Sequence, residues 1–233
     1  MTKVAVVLGG SRGIGAATVE RLVKDGWTVH FTYHGSEEAA RSLAHATGAT
    51  ASQIDSGDRE AVARYFEELG AIDAAIINAG IGMMGDPLKM QATDVDRMID
   101  VNLRGAFHAA VDSARQMNRN GRIVFIGSIN GSRMPAPGGA AYAMTKAGLQ
   151  GAAKGLARDF GARGITVNVL QPGPVDTDMN PADGPQASKM HGIMAIGRHA
   201  EAAEIAAGVA YLLSPEAAMV TGGTLDIDGG FGS

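Results

Sequence analysis

Tyr142 and Lys146 stand four residues apart in Ala141-Tyr142-Ala143-Met144-Thr145-Lys146, at the start of a stretch with helical spacing, and so share one helix face. A phenol with its ordinary pKa near 10 is a poor base at neutral pH, and a nearby ammonium that favours the phenolate eases that limit. The pair therefore suits proton transfer at an oxygen atom, and Lys146 can also donate to a ribose hydroxyl. This spacing arises often by chance, so its context decides. Upstream, residues 122–126 read as a buried strand ending in Gly127-Ser128. That places the Ser128 hydroxyl at a strand's carboxyl end, where α/β sheets build sites. There it can hydrogen-bond a carbonyl beside the tyrosine.

A second constellation lies near the start of the chain. Gly9-Gly10-Ser11-Arg12-Gly13-Ile14-Gly15 falls between a strand-like and a helix-like stretch, the context that a dinucleotide-binding loop requires. Gly9 permits the turn, Gly13 lets the backbone approach a diphosphate, and Gly15 allows close packing of the helix whose N-terminal dipole favours anions. Cofactor choice is set at the end of the second strand, where a carboxylate would accept from the 2′-hydroxyl of NAD. The sequence there is Phe31-Thr32-Tyr33-His34-Gly35-Ser36, with no acid. Arg12 and His34 can face a 2′-phosphate and Ser36 can donate to it, which favours NADP(H) over NAD(H).

The elements that must position these residues follow from apolar periodicity. Residues 3–9 form a short, branched, almost continuous apolar run, as expected for a strand buried on both faces of a parallel sheet. From Ile14 the spacing becomes helical until Gly26. Strand-like runs recur at residues 27–33, 49–54, 74–78, 122–126, 166–171 and 224–227, alternating with helix-like stretches near 36–47, 58–69, 93–117, 140–161 and 200–213. The pattern predicts an α/β chain in a single domain, residues 1–233: a Rossmann-type, doubly wound sheet of about seven parallel strands with helices on both faces. The irregular insertion at 172–197, with Pro172, Pro174, Pro181 and Pro185, follows a strand's carboxyl end and reads as a substrate lid over about residues 176–196.

Composition excludes several classes of partner. The net charge is -4 with both signs mixed along the chain, so no basic stripe serves DNA or RNA and no polybasic segment serves a membrane. No cysteine is present, which removes disulfides and thiolate chemistry. With no apolar run long enough to span a bilayer and no leader-like segment after Met1, a cytoplasmic location is expected. The six histidines show neither a close pair nor metal-ligand spacing, so no metal is expected; His191 and His199 flank the lid. Of the twelve methionines, Met83, Met84, Met134, Met179, Met190 and Met194 fall near the expected cleft loops, where pocket lining and gap filling are both open.

The glycine loop, Asn78-Ala79-Gly80 after the fourth strand, Asn102 in the long helix, Ser128, Tyr142 with Lys146, and Pro172-Gly173 with Thr177 occur in an order that resembles the short-chain dehydrogenase/reductase family along nearly the whole chain. The resemblance implies an oxidoreductase acting on a small carbonyl or alcohol. In it Tyr142 is the general acid for reduction, Lys146 lowers the phenol pKa and holds the ribose, Ser128 orients the carbonyl, and Asn102 supports a water-linked proton relay. It also implies that Asp55 contacts adenine and that Asn78, Ala79 and Gly80 line the cofactor cleft, with Asn78 equally suited to tying loops together. Pro172, Gly173 and Thr177 would lie on the cofactor, with the Val175 backbone holding the carboxamide. A homodimer or homotetramer through residues 93–117 and 140–161 is implied as well. Leu8 stands where the family carries threonine, so a hydrogen bond toward the Asn78 loop is expected to be lost. The pattern is similar to 3-oxoacyl-carrier-protein reductases, including the ending Thr221-Gly222-Gly223-Thr224-Leu225-Asp226-Ile227-Asp228-Gly229-Gly230. Leu8-Gly9-Gly10-Ser11-Arg12, Arg133-Met134-Pro135 and Gln171-Pro172-Gly173-Pro174 resemble a narrower bacterial subgroup of cyclic-di-GMP-binding biofilm-dispersal mediators. A cyclic-di-GMP sensor on the same fold is therefore the alternative expectation. The intact tetrad favours the enzyme, since a pure sensor has no chemical need for a tyrosine paired with lysine.

Overall fold

In the computed structural model, which describes residues 2–233, every strand is parallel to its neighbours in one sheet of order β3-β2-β1-β4-β5-β6-β7. The strands are β1 (Val4–Leu8), β2 (Thr28–Tyr33), β3 (Thr50–Gln53), β4 (Ile72–Ile77), β5 (Met117–Ile126), β6 (Thr166–Pro172) and β7 (Thr224–Ile227). Met1, from which the sequence reading ran straight into the first strand, lies outside the described residues. The central strands read as continuous apolar runs because both of their faces are covered. Val6, Leu8, Ile77 and Phe125 pack into one core layer, which includes residues of α3 (Arg59–Leu69), α5 (Ala106–Gln116) and α6 (Ala140–Phe160). Ala5, Val7, Phe31 and Ile76 pack into the other, with residues of α1 (Gly13–Lys24), α2 (Glu37–Thr47) and α8 (Ala202–Leu213). Each large side chain so buried contributes about 1.5–3 kcal/mol. Alanines at 106, 109, 110 and 114 form the buried face of α5, and their small size lets that helix lie close to the sheet.

Two elements differ from the sequence expectation. The helix expected over 93–117 is three pieces: α4 (Ala92–Ile99), a π-helical turn at Asp100–Gly105, and α5. The backbone stays helical across both joints, and packing against the loop after β3 accompanies the π-helical turn, since a Cβ on Gly105 would collide with the Ser56 carbonyl oxygen. β5 begins earlier than expected, at Met117, which pairs with Ile72 before an irregularity in the ladder. The insertion after β6 carries the short helix α7 (Ala187–His191) and is tied back by a bridge between Val175 and Ala200. No described helix is long and apolar enough to cross a membrane.

The strand order reverses between β1 and β4, because the chain leaves β1 toward β2 on one side and β4 toward β5 on the other. The diverging connections open a crevice at the carboxyl ends of those two strands, the place where open α/β sheets bind ligands.

Candidate active site

The glycine loop forms the floor of that crevice. Gly9 and Gly13 have φ of 76° and 52°, left-handed values at which a side chain is strained. A Cβ on Gly9 would lie 2.8 Å from the Ala79 Cα, and one on Gly15 only 2.1 Å from the Gly9 carbonyl oxygen, so neither tolerates a side chain. Arg12, the N-cap of α1, makes no side-chain cap, which leaves the first amide groups of α1, including Ile14, without a side-chain acceptor. A narrow glycine cradle with uncapped amides at a helix N-terminus fits a diphosphate. Asn78 acts here as a tie. Its Nδ2 donates to the Gly9 oxygen at 2.7 Å, while the Ala79 amide donates to Leu8 at 2.8 Å. The link expected to be lost with Leu8 is thus supplied by Asn78, and the Gly9 amide donates instead to Thr32 Oγ1 at 3.1 Å.

At the ends of β4, β5 and α6 the tetrad residues come together around Gly80. A Cβ on Gly80 would sit 3.3 Å from Lys146 Nζ and 3.4 Å from Asn102 Oδ1. Asn102 is buried in the π-helical turn; its Oδ1 accepts from the Ile81 amide at 2.8 Å, and its Nδ2 donates to the Ile81 oxygen at 2.8 Å and to Thr145 Oγ1 at 3.2 Å. Its side chain is thereby committed to holding the loop after β4. Lys146 Nζ donates to the Ile126 oxygen at 2.9 Å and lies 5.8 Å from the centre of the Tyr142 ring. Ser128 is buried beyond the end of β5 and accepts from the Asn130 amide at 3.2 Å.

Burial dominates the titration of the pair. It pushes the Tyr142 phenol up, against an opposing hydrogen bond from Ser128, and pushes the Lys146 ammonium down to about 8. The sequence pointed to a lowering of the phenol by Lys146; in the folded chain burial is the largest influence and the net direction is up. At neutral pH the consequence is a protonated phenol beside a charged ammonium, the protonation needed to deliver a proton to a carbonyl oxygen.

The remaining expected residues rim the crevice. Tyr33 ends β2, and His34 and Ser36 follow it; Ser36 is the N-cap of α2 without a side-chain cap bond, and the His34 oxygen accepts from Gln53 Nε2. Asp55 is less free than expected, because its carboxylate accepts from Arg97 at 2.9 and 2.8 Å and from the Gly57 amide. Those partners hold its carboxyl below the usual range against the desolvation that raises it. Pro172 closes β6, and the Gly173 amide donates to Ile227. Val175 lies in the bridge to Ala200, and Thr177 approaches the glycine loop, its Cγ2 3.1 Å from where a Gly13 Cβ would stand. Ser11 lies in the loop between β1 and α1.

Three contacts were not visible in the sequence spacing. Arg12 pairs with Asp178 at 3.2 Å, both well exposed, so the glycine loop touches the insertion after β6. Met179 and the ring edge of Tyr142 both lie beside Gly82, 3.5 and 3.7 Å from where its Cβ would stand. The histidines, expected to be unpaired, include a pair: His199 Nδ1 and His191 Nε2 are 2.7 Å apart, and Asn180 Nδ2 donates to His199 Nε2 at 3.1 Å. No group of metal-ligating side chains converges among the described residues.

A family model described as enoyl-(acyl carrier protein) reductase matches residues 9–232. The chain is 55% identical over 231 residues to the cyclic-di-GMP-binding biofilm dispersal mediator protein of Escherichia coli K12, covering 99% of this chain and 98% of that protein. It is 40% identical over 238 residues to the 3-oxoacyl-[acyl-carrier-protein] reductase FabG of Escherichia coli K12, covering 98% of this chain and 96% of that one. Among solved structures, the crystal structure of BdcA in complex with NADPH superposes with a TM-score of 0.98 at 55% identity, covering 99% of this chain and 95% of that chain.

Proposed function

This chain belongs to the short-chain dehydrogenase/reductase family, and from that membership we propose an NADP(H)-dependent oxidoreductase that interconverts a carbonyl and an alcohol, with Tyr142 as its acid/base. The observation that carries this reading is the gathering of the Tyr142 phenol, the Ser128 hydroxyl and the buried Lys146 ammonium beside the glycine cradle. When bound, the dihydronicotinamide supplies the hydride. Gly9, Gly13 and Gly15 with the α1 amides hold the diphosphate, and Arg12, His34 and Ser36 hold the 2′-phosphate. Tyr33 and Asp55 border the adenine, Asp55 as a carboxylate fixed by Arg97. Ser128 orients the substrate oxygen and Tyr142 donates its proton to it. Lys146 holds the ribose and stabilises the phenolate left behind; Asn102 positions the loop beside them. The Val175 backbone and Thr177 secure the carboxamide.

BdcA, 55% identical, is an NADPH complex, which supports the 2′-phosphate preference. Arg12→Ala is expected to weaken NADPH binding by about ten-fold or more, as befits a lost charge-assisted contact, and to leave NADH binding nearly unchanged. Asp178→Asn is expected to act in reverse, tightening NADPH by about two- to five-fold at low salt, because it releases Arg12 from an exposed pair worth under about 1 kcal/mol. Fluorescence titration with both cofactors at two ionic strengths checks both. The reading as a whole is tested by NADPH oxidation on a panel of ketones, aldehydes and acyl thioesters; complete inactivity overturns it.

A second reading has one observation in its favour, the cyclic-di-GMP-binding relative at 55% identity. In it the same cleft, with Arg12 at its edge, accepts the cyclic dinucleotide. Calorimetric titration without binding at micromolar ligand removes it. The substrate in the first reading is a small molecule met in the cytoplasm, and the chain works as a homodimer or homotetramer. The exposed Phe107 on α5 and Met144 on α6 support such an assembly, and sedimentation of a lone monomer would refute it.

A further inference from the structure

The loop after β4 runs outward from the chemistry and changes character as it goes. Gly80 faces Lys146 and Asn102, whereas a Cβ on Gly82 would meet Met179 Sδ at 3.5 Å and the Tyr142 ring at 3.7 Å. Further out, the thioethers of Met84 and Met134 converge on Gly139, at the start of the tyrosine helix. Beyond Ser128, Ile129, Met194 and Phe231 form a separate buried apolar cluster with Met190 against it. Apolar and thioether side chains therefore border the polar residues, and the outermost are open to solvent: Met84 and Met179 are 56% and 66% exposed. Unbranched, polarizable side chains adapt to apolar and aromatic surfaces.

The charges around this mouth have the opposite preference. The lid carries Asp176, Asp178 and Asp183 against Lys189, with Arg198 just beyond it. Arg198 is held by both carboxylate oxygens of Glu204 at 2.7 Å, and Arg12 by Asp178. Arg133, next to Met134, donates to the main-chain oxygens of Phe231 and Ser233. Arg198 and Arg133 are thus engaged within the protein, and Arg12 is assigned to the cofactor's 2′-phosphate, so none of these three is offered to a phosphate on the substrate, the group best bound by an arginine fork.

On the reading that this is an NADP(H)-dependent carbonyl site, we propose that its substrate is a free, uncharged, apolar ketone or aldehyde of aromatic or branched aliphatic build. It is not an acyl group presented on a phosphate-bearing thioester carrier. The carbonyl oxygen meets Ser128 and Tyr142 while the apolar body lies between Met179 on one side and Met84 with Met134 on the other.

The test compares kcat/KM with NADPH for ethyl benzoylacetate and for acetoacetyl-coenzyme A, two β-oxo compounds that differ in body and charge. The aryl ester is expected to be preferred by about ten-fold or more. In the double variant Met84→Ser, Met179→Ser its KM is expected to rise about ten-fold, with kcat and NADPH affinity changed far less. Preference for the coenzyme A thioester overturns the proposal and leaves the reductase reading standing, as does an unchanged KM in the double variant. Failure of the NADPH-bound protein to reduce either compound, or any other carbonyl, overturns the reductase reading itself and the proposal with it.

Discussion

Tyr142→Phe is expected to lower kcat for NADPH-linked reduction by about 10²–10⁴-fold, the usual share of a positioned general acid, while weakening NADPH by no more than about five-fold, the size of one neutral hydrogen bond. The expectation rests on where the proton is held. Burial raises the phenol pKa, so at neutral pH the hydroxyl carries its proton and delivers it to the substrate oxygen as negative charge develops there. Phenylalanine keeps the ring that packs by Gly82 and Met179 and removes only the donor. Stopped-flow reduction with saturating NADPH, alongside cofactor titration, separates the two effects. A variant that reduces substrate within about ten-fold of the parent would show that the proton comes from elsewhere, because a lost general acid costs more than that. Ser128→Ala should cost less, since Ser128 orients the oxygen without being the only donor to it.

The sheet was legible in the sequence because its signals are local. Doubly buried strands such as Val4–Leu8 are short apolar runs, and Gly9 and Gly13 mark turns that other residues disfavour. Tyr142 and Lys146 were legible for the same reason, four apart on one helix. What escaped was set by tertiary contact. The π-helical turn at Asp100–Gly105 keeps an apolar spacing indistinguishable from that of a continuous helix, and its packing partner Ser56 lies in a distant loop. Arg12 and Asp178 are 166 residues apart, and Asp55 and Arg97 42 apart. His191 and His199 form no close pair in the sequence, yet the chain after α7 brings the two rings together edge to face. The titration of Tyr142 and Lys146 escaped on similar grounds: spacing shows that an ammonium is near a phenol, whereas desolvation depends on everything packed around both.

That desolvation leads to a result in which stability and activity move in opposite directions with pH. Lys146 is buried in the folded chain, and burial lowers its pKa from an ordinary 10.5 to about 8. Below pH 8 both folded and unfolded chains carry the proton, and the folded state bears the cost of an enclosed charge. As pH rises through 8 the folded chain gives up the proton while the unfolded chain retains it up to 10.5, so the unfolded state binds more protons and stability rises with pH across that window. The gain is fully present above 10.5 and is lost as pH falls through 8. It amounts to at most about 1.4 kcal/mol per pH unit, or about 3 kcal/mol over the window. Lys146→Met lacks this linkage. The difference in unfolding free energy between parent and variant, followed by denaturant melts from pH 7 to 10, should therefore drift in the parent's favour as pH rises. Activity runs the other way. Deprotonation removes the cation that stabilises the phenolate left on Tyr142, so parent kcat should decline above about pH 8, while Lys146→Met should be slower by about 10²-fold or more below pH 8, the loss typical of one preorganised electrostatic contact, with the gap narrowing above it. A difference in unfolding free energy that stays flat from pH 7 to 10 would mean that Lys146 keeps an ordinary pKa in the folded chain. The burial that shapes this site would then carry no penalty for its charge.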